Sequence, residues 1–179
     1  MPAQANTGKT EATKRKEAKL VSLYEEYYDK IARYAFVRIG NRTEAEDLAG
    51  EVFLKALESL ESYKERGIPM QAWLFKIAHN LVVDHWRKRT KRKIVPIDTV
   101  QIEAGTDPAA LAEKNIQRER VIKAMEELTQ EQREVLGLRF FAGLTSKEAG
   151  NILHKSDGAV REMQRAAIEK LRKLLVIEH

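Results

Sequence analysis

Residues 73–93 read WLFKIAHNLVVDHWRKRTKRK, and the stretch changes character half-way along. In its first half, apolar residues recur at steps that predict an amphipathic helix. These residues are Trp73, Leu74, Ile77, Ala78 and Leu81. In its second half, only Thr90 among residues 87–93 is neither Lys nor Arg. A helix that begins in a hydrophobic core and ends in a run of cations is suited to an anionic partner.

A second face of this predicted helix is polar. Lys76, Asn80, Asp84 and Arg87 follow one another at steps of four and three, so they lie on one side. Asn80 and Asp84 are either ordinary surface residues or groups that face a ligand, and the sequence leaves both interpretations open.

Charge is distributed unevenly along the chain. The total is only +5, from 32 Lys and Arg against 27 Asp and Glu. Residues 41–65, however, carry seven acidic and three basic residues, whereas residues 84–93 carry six basic residues and one acidic residue. An acidic surface beside a basic one predicts two different partners.

Composition excludes several classes of protein. There is no cysteine, which rules out disulfides and thiolate chemistry. The N-terminus lacks the apolar core of a signal peptide, and no run approaches the roughly 18 apolar residues of a membrane span. The four histidines form no metal-binding pattern, and no glycine-rich phosphate loop is present. We therefore expect a soluble cytoplasmic protein that is not an enzyme, with no cofactor, no small-molecule substrate and no membrane insertion.

Periodicity divides the chain into two helical domains. Residues 1–17 are polar and predict a disordered tail. Residues 18–93 hold a helix from Leu20 to Gly40, a helix opened by a capping box at residues 43–46, a loop at 61–70 and the helix quoted above. Residues 94–106 lose the helical period and predict a flexible linker, and residues 107–179 form the second domain. The predicted fold is all-α.

The helix over residues 44–60 carries an apolar stripe that includes Leu48, Val52, Phe53 and Leu57. Its opposite face is charged, with Asp47, Glu51 and Lys55 among its members. That face is either a solvated surface or a docking surface for a basic partner.

The second domain ends in a helix-turn-helix pattern. Capping boxes at residues 129–132 and 145–148 open two helices, and Ser156 caps the last one. The last helix would enter a DNA major groove with its N-terminal residues at the bases. Lys155, Ser156 and Asp157 lie in its first turn. The alternative, a helical hairpin of a bundle, stays open.

Two arginines on the outer face of the last helix suit DNA. Arg161 and Arg165 can contact guanine edges or phosphates. Gln164 is either a base reader or a residue at the boundary of the core.

Three blocks in this order resemble the extracytoplasmic-function sigma factors, bacterial transcription initiation factors. AEDLAGEVFLKAL resembles their helix for core RNA polymerase, AWLFKIAHNLVVDHWRKRTKR their −10 helix, and residues 128–173 their −35 domain. The resemblance covers about residues 20–175. It implies docking on the β′ clamp helices and β flap of core polymerase, duplex contact at −35, single-stranded contact at −10, a nucleoid location when active, and inhibition by an anti-sigma factor.

The resemblance implies three sets of site residues. Core polymerase would be contacted by Asp47, Leu48, Glu51, Val52, Phe53 and Lys55. The −10 element would be contacted by Tyr63, Lys64, Trp73, Lys76, Asn80, Asp84, Arg87, Lys88, Arg89, Lys91 and Arg92. The −35 element would be contacted by Lys155, Ser156, Asp157, Arg161, Gln164 and Arg165. An unpaired −10 base would enter a pocket bordered by residues 63–70.

The sequence departs from the family at three positions. The turn before the last helix commonly has Gly where this chain has His154, and Ala where it has Gly150. Many members have Arg in place of Ala166, which puts one DNA contact in doubt.

Two other functions compete with this interpretation. A helix-turn-helix regulator without polymerase docking would bind duplex DNA tightly as a dimer. A bundle-type adaptor would use the basic run on RNA or protein without promoter specificity.

Overall fold

A computed structural model describes residues 10–64, 66–91 and 108–177, and within these residues the backbone forms helices and no strand. The all-α prediction is confirmed. The N-terminal half contains α1 (Glu11–Ile39), α2 (Arg42–Glu58), a 3₁₀ turn (Leu60–Ser62) and α3 (Met70–Lys91). The C-terminal half contains α4 (Pro108–Glu126), α5 (Gln130–Leu136), a π turn (Gly137–Phe141), α6 (Ser146–Leu153) and α7 (Asp157–Ile177). The predicted linker, residues 94–106, lies outside the described residues.

The first helix begins earlier than predicted. Residues 11–17 were assigned to a disordered tail, but α1 starts at Glu11, and that assignment is wrong for these residues. The Thr10 hydroxyl accepts a hydrogen bond from the Thr13 amide at 3.3 Å and caps the helix. The polar composition of residues 11–17 predicted disorder because it does not show tertiary contacts. The Lys16 ammonium donates to the Tyr63 carbonyl, and this contact stabilises the first turns of α1. Residues 1–9 lie outside the described part of the chain.

The second helix begins at a different cap. We expected a capping box at residues 43–46, but the side chain of Asn41 accepts from the Glu44 amide at 3.0 Å. Gly40, predicted to end α1, does so in the left-handed conformation, with φ at 78°. One residue therefore separates the end of α1 from the cap of α2. This short connection makes the two helices antiparallel neighbours.

The helix predicted for residues 133–142 is broken. An α-helix ends at Leu136 and a π turn follows to Phe141. Gly137 lies at this junction, and a Cβ placed there would come within 2.8 Å of the Tyr34 ring. Close packing of α1 against this junction explains why the residue is glycine.

Three predicted caps of the second domain are confirmed, whereas Asp107, the predicted cap of α4, lies outside the described residues. Thr129 and Thr145 both form complete capping boxes, with Gln132 and Glu148. Ser156 accepts from the Ala159 amide at 3.1 Å. These caps define α5, α6 and α7 locally, because each satisfies amide groups that the first helical turn leaves unpaired.

The two predicted domains pack against each other. A main hydrophobic cluster runs from Leu20 in α1 to Val160 in α7 and includes residues of both halves. A smaller cluster around Met125 and Ala167 lies in the C-terminal half and receives Val37 from α1. The described residues therefore form a closed arrangement in which α1 contacts the π turn and α5, and α3 contacts α6.

Candidate nucleic-acid interface

Helix α3 presents the polar face that its spacing predicted. Lys76 and Asn80 are exposed and Asp84 is half-buried, whereas Leu74 and Phe75 on the opposite side are fully buried. Asn80 and Asp84 line a shallow depression of about 310 Å³ between α3 and the end of α2, together with Lys55. The structure thus brings two predicted DNA contacts next to one predicted polymerase contact.

The basic run is only partly free for DNA. Arg87 and Lys88 are exposed, and Arg87 lies 3.3 Å from Asp84. Arg89 turns back instead: it donates to the Ile39 carbonyl at 3.0 Å and its guanidinium lies over the Trp86 ring. Arg89 therefore ties the end of α1 to α3. Lys91 is the last residue of α3, and Arg92 lies outside the described residues.

The aromatic residue of the loop before α3 is buried. Tyr63 is only 7% exposed, and its hydroxyl donates to the Ile68 carbonyl at 2.9 Å. Its ring packs on half-buried Trp73 with centroids 4.9 Å apart. Neither ring therefore presents two open faces for a base, and Lys64, which is exposed, is the predicted loop contact that faces solvent.

The acidic face of α2 differs from the prediction in its apolar members. Asp47, Glu51 and Lys55 are exposed as expected. Three residues predicted to dock on polymerase are instead buried in the core, and their predicted role is corrected accordingly: Leu48, Val52 and Phe53. Burial leaves their side chains no surface to offer a partner.

Two other leucines of α2 are exposed. Leu54 is 61% exposed and lies at the step of three from Glu51, on the acidic face. Leu57, predicted in the buried stripe, is 53% exposed. Sequence reasoning missed Leu54 because an isolated leucine on a charged face carries no periodic signal.

The turn between α6 and α7 relies on two unusual residues. His154 adopts φ of 57°, the left-handed conformation that Gly commonly supplies. A Cβ on Gly150 would lie 2.4 Å from the Lys155 carbonyl oxygen. The departure at Gly150 is thus explained, because the backbone after His154 passes over this residue too closely for alanine.

The outer face of α7 carries its arginines in ion pairs. Arg161 lies 3.4 Å from Asp157, and Arg165 contacts both Glu162 and Glu169. The hydrogen bond from Arg165 lowers the pKa of Glu162, so that carboxyl stays ionised. DNA would have to compete with these carboxylates for the guanidinium groups.

A groove of about 770 Å³ follows the same helix. Besides Arg161 and Arg165, it is lined by Arg139 from the π turn and Arg172 near the end of α7, both missed by sequence reasoning. Arg139 donates to Gln164 Oε1 at 2.8 Å and also to the Leu144 carbonyl. Gln164 is therefore a half-buried boundary residue with its oxygen already engaged, which favours the less specific of its two interpretations.

Lys155 and Ser156 are placed at the start of α7 with local partners. The Lys155 ammonium lies 3.4 Å from Glu131 of α5, and the Ser156 oxygen caps α7. Both side chains are near the end of α7 that a helix-turn-helix presents to DNA.

A buried polar cluster joins the two halves, and no sequence pattern pointed to it. Arg38 of α1 lies 2.8 Å from Glu134 of α5, with side-chain exposures of 2% and 12%. The Tyr34 hydroxyl is 3.4 Å from His79 Nδ1, and that nitrogen is 4.0 Å from Glu134. Burial lowers the pKa of His79 from 6.5 to about 4, with the Arg38 charge adding to the effect. His79 is therefore neutral near pH 7.

Burial also shifts the pKa values of the Glu134 carboxyl and the Tyr34 hydroxyl in this cluster. It raises the pKa of Glu134, against the lowering effect of the Arg38 guanidinium. It also raises the pKa of the Tyr34 hydroxyl. Arg38 thus supplies the positive charge on which an ionised Glu134 depends.

Among the described residues, His, Asp and Glu form no group of three or more that could hold a metal ion. Across the same ranges, no helix is long and apolar enough to cross a membrane.

Comparison with known proteins identifies two sigma-factor regions in this chain. Residues 23–92 match the family model for Sigma-70 region 2, and residues 124–173 match that for Sigma-70 region 4. The SigD protein of Mycobacterium tuberculosis, an ECF RNA polymerase sigma factor, is 30% identical over 154 residues, 82% of this chain and 72% of its own. This chain belongs to the ECF sigma factors.

Two further matches describe relatives of this sigma factor. The ECF RNA polymerase sigma factor BldN of Streptomyces coelicolor is 32% identical over 86% of this chain, which spans 59% of BldN. The structure of the sigma factor RpoE of Bartonella quintana, solved with the anti-sigma factor NepR, shares the fold with a TM-score of 0.69 and 21% identity. That match covers 90% of this chain and 99% of the other.

Proposed function

We propose that this sigma factor docks on core RNA polymerase through α2, binds −35 duplex through α7 and binds the opened −10 element through α3. One observation carries the proposal: two separate cationic surfaces, on α3 and α7, are presented by the two sigma domains of one chain. The polymerase performs the chemistry, and this protein selects the promoter and supports strand opening.

The docking surface on α2 combines charge with one apolar anchor. Asp47 and Glu51 share one side of the helix with exposed Leu54. A few desolvated side chains supply most of the binding energy at interfaces, whereas rim charges speed association and set specificity. We assign the β′ clamp helices to this surface and the β flap to the C-terminal domain.

For the −10 element, the exposed residues of α3 and the loop carry the proposal. Arg87 and Lys88 hold phosphates, as do Lys91 and Arg92 in the continuing basic run. Lys64, Lys76, Asn80 and Asp84 lie nearer the bases. Tyr63 and Trp73 support the loop from inside, and Arg89 holds α3 to α1.

For the −35 element, Arg161 and Arg165 exchange their carboxylate partners for guanine edges or phosphates. Lys155, Ser156 and Asp157 contact the backbone near the start of α7. Arg139 and Arg172 extend the cationic groove along the duplex. Gln164 orients the π turn through Arg139.

The closed arrangement must open for both elements to be bound. The elements lie about 25 base pairs apart, roughly 85 Å of duplex at 3.4 Å per pair. A compact chain of 179 residues has a radius of gyration of only about 16 Å. The halves therefore separate on the promoter, and the linker keeps the second contact effectively intramolecular. An anti-sigma factor that favours the closed arrangement would block transcription in the cytoplasm.

The test is reconstitution with core polymerase of the native host. We expect the chain to bind core and to start transcription from the DNA upstream of its own gene. Tight duplex binding without core binding would overturn the proposal and favour a conventional helix-turn-helix regulator.

Charge reversal tests the docking surface. We expect D47K with E51K to weaken core binding at least tenfold while duplex binding through α7 is unchanged. The matched control reverses two exposed glutamates on α4, Glu113 and Glu119. Equal core affinity in both double variants would show that α2 is not the docking helix.

A further inference from the structure

The loop between α2 and α3 is held from outside the matched sigma regions. Lys16 of α1 donates from Nζ to the Tyr63 carbonyl at 2.7 Å and lies 3.5 Å from the Leu60 carbonyl. Both oxygens belong to the 3₁₀ turn and the irregular segment after it. Carbonyls that follow the last helical turn have no partner within the helix, and a lysine ammonium is a strong donor to them.

Lys16 differs from its neighbours on α1. It is half-buried, whereas Lys14 and Lys19 are exposed and Lys14 lies near Glu11 on the same helix. The family match begins at residue 23, seven residues after Lys16. The contact thus depends on the early start of α1, which places the Lys16 side chain beside the loop.

The contact reaches the tip of the loop through Tyr63. The ammonium holds the Tyr63 backbone, and the Tyr63 hydroxyl holds the Ile68 carbonyl five residues later. Packing of the ring on Trp73 fixes the same segment to α3. Between these anchors the loop presents Ile68, 40% exposed, with the cations Lys64 and Arg66 close in sequence.

An exposed apolar residue with two cations shortly before it in the chain fits an unstacked base and its neighbouring phosphates. Single-stranded DNA is bound by such a combination of base contact and backbone charge. A loop already held in its binding shape loses less conformational entropy when the base arrives.

We propose that Lys16 is a positioning residue that holds residues 63–64 and 66–69 in the shape that takes up an unpaired base of the −10 element. The inference rests on the proposed function, because it assumes that this loop faces the opened promoter. Lys16 acts through the loop backbone and does not itself contact DNA.

The experiment compares K16M, K16R and K19M as holoenzymes with core polymerase. Met and Arg have similar helix propensities, so both variants preserve α1, but only Arg keeps a cationic donor. The probe is a duplex promoter selected from a random library with wild-type holoenzyme, carrying 2-aminopurine in the non-template strand of its −10 element. Its fluorescence rises when the substituted base unstacks.

We expect K16M to lower the equilibrium constant for base unstacking roughly tenfold, the loss expected for one charge-assisted hydrogen bond. K16R should restore most of it, and K19M should match wild type. Hydrogen exchange of the amides of residues 66–68 should become about tenfold faster in K16M alone. Core binding and −35 duplex binding should be equal in all four proteins.

Two results would overturn the inference while leaving the proposed function intact. One is wild-type unstacking by K16M. The other is a loss of core binding in K16M that matches its loss of unstacking, which would indicate general damage to the domain. If wild-type holoenzyme selects no promoter at all, the proposed function itself fails.

Discussion

The ion pair between Arg38 and Glu134 and the ion pairs along α7 use the same chemical groups in opposite surroundings. The first pair is almost entirely buried between the two halves. Arg165 and Glu162, in contrast, have side-chain exposures of 64% and 65%. Exposed pairs contribute little to stability because water and salt screen them, whereas breaking one partner of a buried pair leaves an uncompensated charge. The same residue types therefore form a fixed contact in one place and an exchangeable one in the other, as the proposed binding of DNA by α7 requires.

The largest effect should follow from E134Q. The substitution leaves the buried Arg38 guanidinium without a counter-charge. We expect it to destabilise the closed arrangement by about 3 kcal/mol. Separation of the halves relieves this cost by hydrating Arg38. We expect a larger radius of gyration by small-angle X-ray scattering and a lower midpoint of urea unfolding.

A matched double variant separates charge from shape. Replacing both partners with apolar residues, R38M with E134L, should recover most of the stability and keep the closed form. If E134Q and wild type had the same radius and the same unfolding midpoint, the buried pair would not hold the halves together.

The next largest effect on stability should come from the packing of Gly137 in the π turn against Tyr34 of α1. In G137A the new Cβ would lie 2.8 Å from the Tyr34 ring, which Phe75 contacts edge-on at a centroid distance of 5.7 Å. Overpacking of this kind costs about 1–3 kcal/mol, measured as the free energy of unfolding. The control is G158A in α7, where a Cβ meets nothing within 4 Å. Equal stability of the two variants would contradict close packing between α1 and the π turn.

A smaller effect should depend on pH. The pKa of His79 is about 4 in the folded protein and near 6.5 when unfolded, so the unfolded chain binds more protons between these values. Stability therefore falls as pH decreases through this window. Allowing for partial exposure, we expect His79 to contribute a loss of about 1 kcal/mol between pH 7 and pH 5.

The variant H79Q isolates this contribution. The raised pKa of Glu134 acts in the opposite direction, because it favours proton binding by the folded state. The quantity to measure is therefore the difference between wild type and H79Q in urea unfolding at each pH. A difference that does not vary with pH would show that His79 does not titrate in this window.

The smallest effect on stability should come from E162Q on α7. Loss of this exposed pair should leave the urea midpoint of unfolding nearly unchanged, because water and salt screen the two charges. Duplex affinity at the −35 element should nevertheless rise several-fold, because Arg165 loses one competing carboxylate. Fluorescence anisotropy with labelled duplex measures the affinity, and E126Q on α4 is the control for charge alone. Unchanged affinity would mean that Arg165 does not contact DNA.

Local rules predicted much of the fold. The capping boxes at Thr129 and Thr145 and the glycine that ends α1 were predicted, because each is decided by a few neighbouring residues. The π turn after Leu136 was not, because it depends on how Gly137 meets Tyr34 from another helix. The start of α1 was missed for the same reason, since Lys16 contacts residues more than forty positions away.

The candidate site was predictable by residue type and less so by exposure. Asp47, Glu51, Lys76, Asn80 and Arg161 are exposed as expected. Leu48, Val52 and Phe53 are buried, and Arg89 turns inward, because a helical period states which residues share a face but not how wide the buried face becomes. Leu54, Arg139 and Arg172 emerged only when neighbouring helices were in place.

The sequence by itself determined the all-α class, the order of the two domains and the family, because helical period, caps and motif order are local properties of the chain. Tertiary structure alone decided that the halves close on each other around Arg38, Glu134, Tyr34 and His79. Each of these four residues is ordinary in its own helix. They form a buried polar cluster only because packing removes them together from water, and burial is a property that neighbours in sequence do not set.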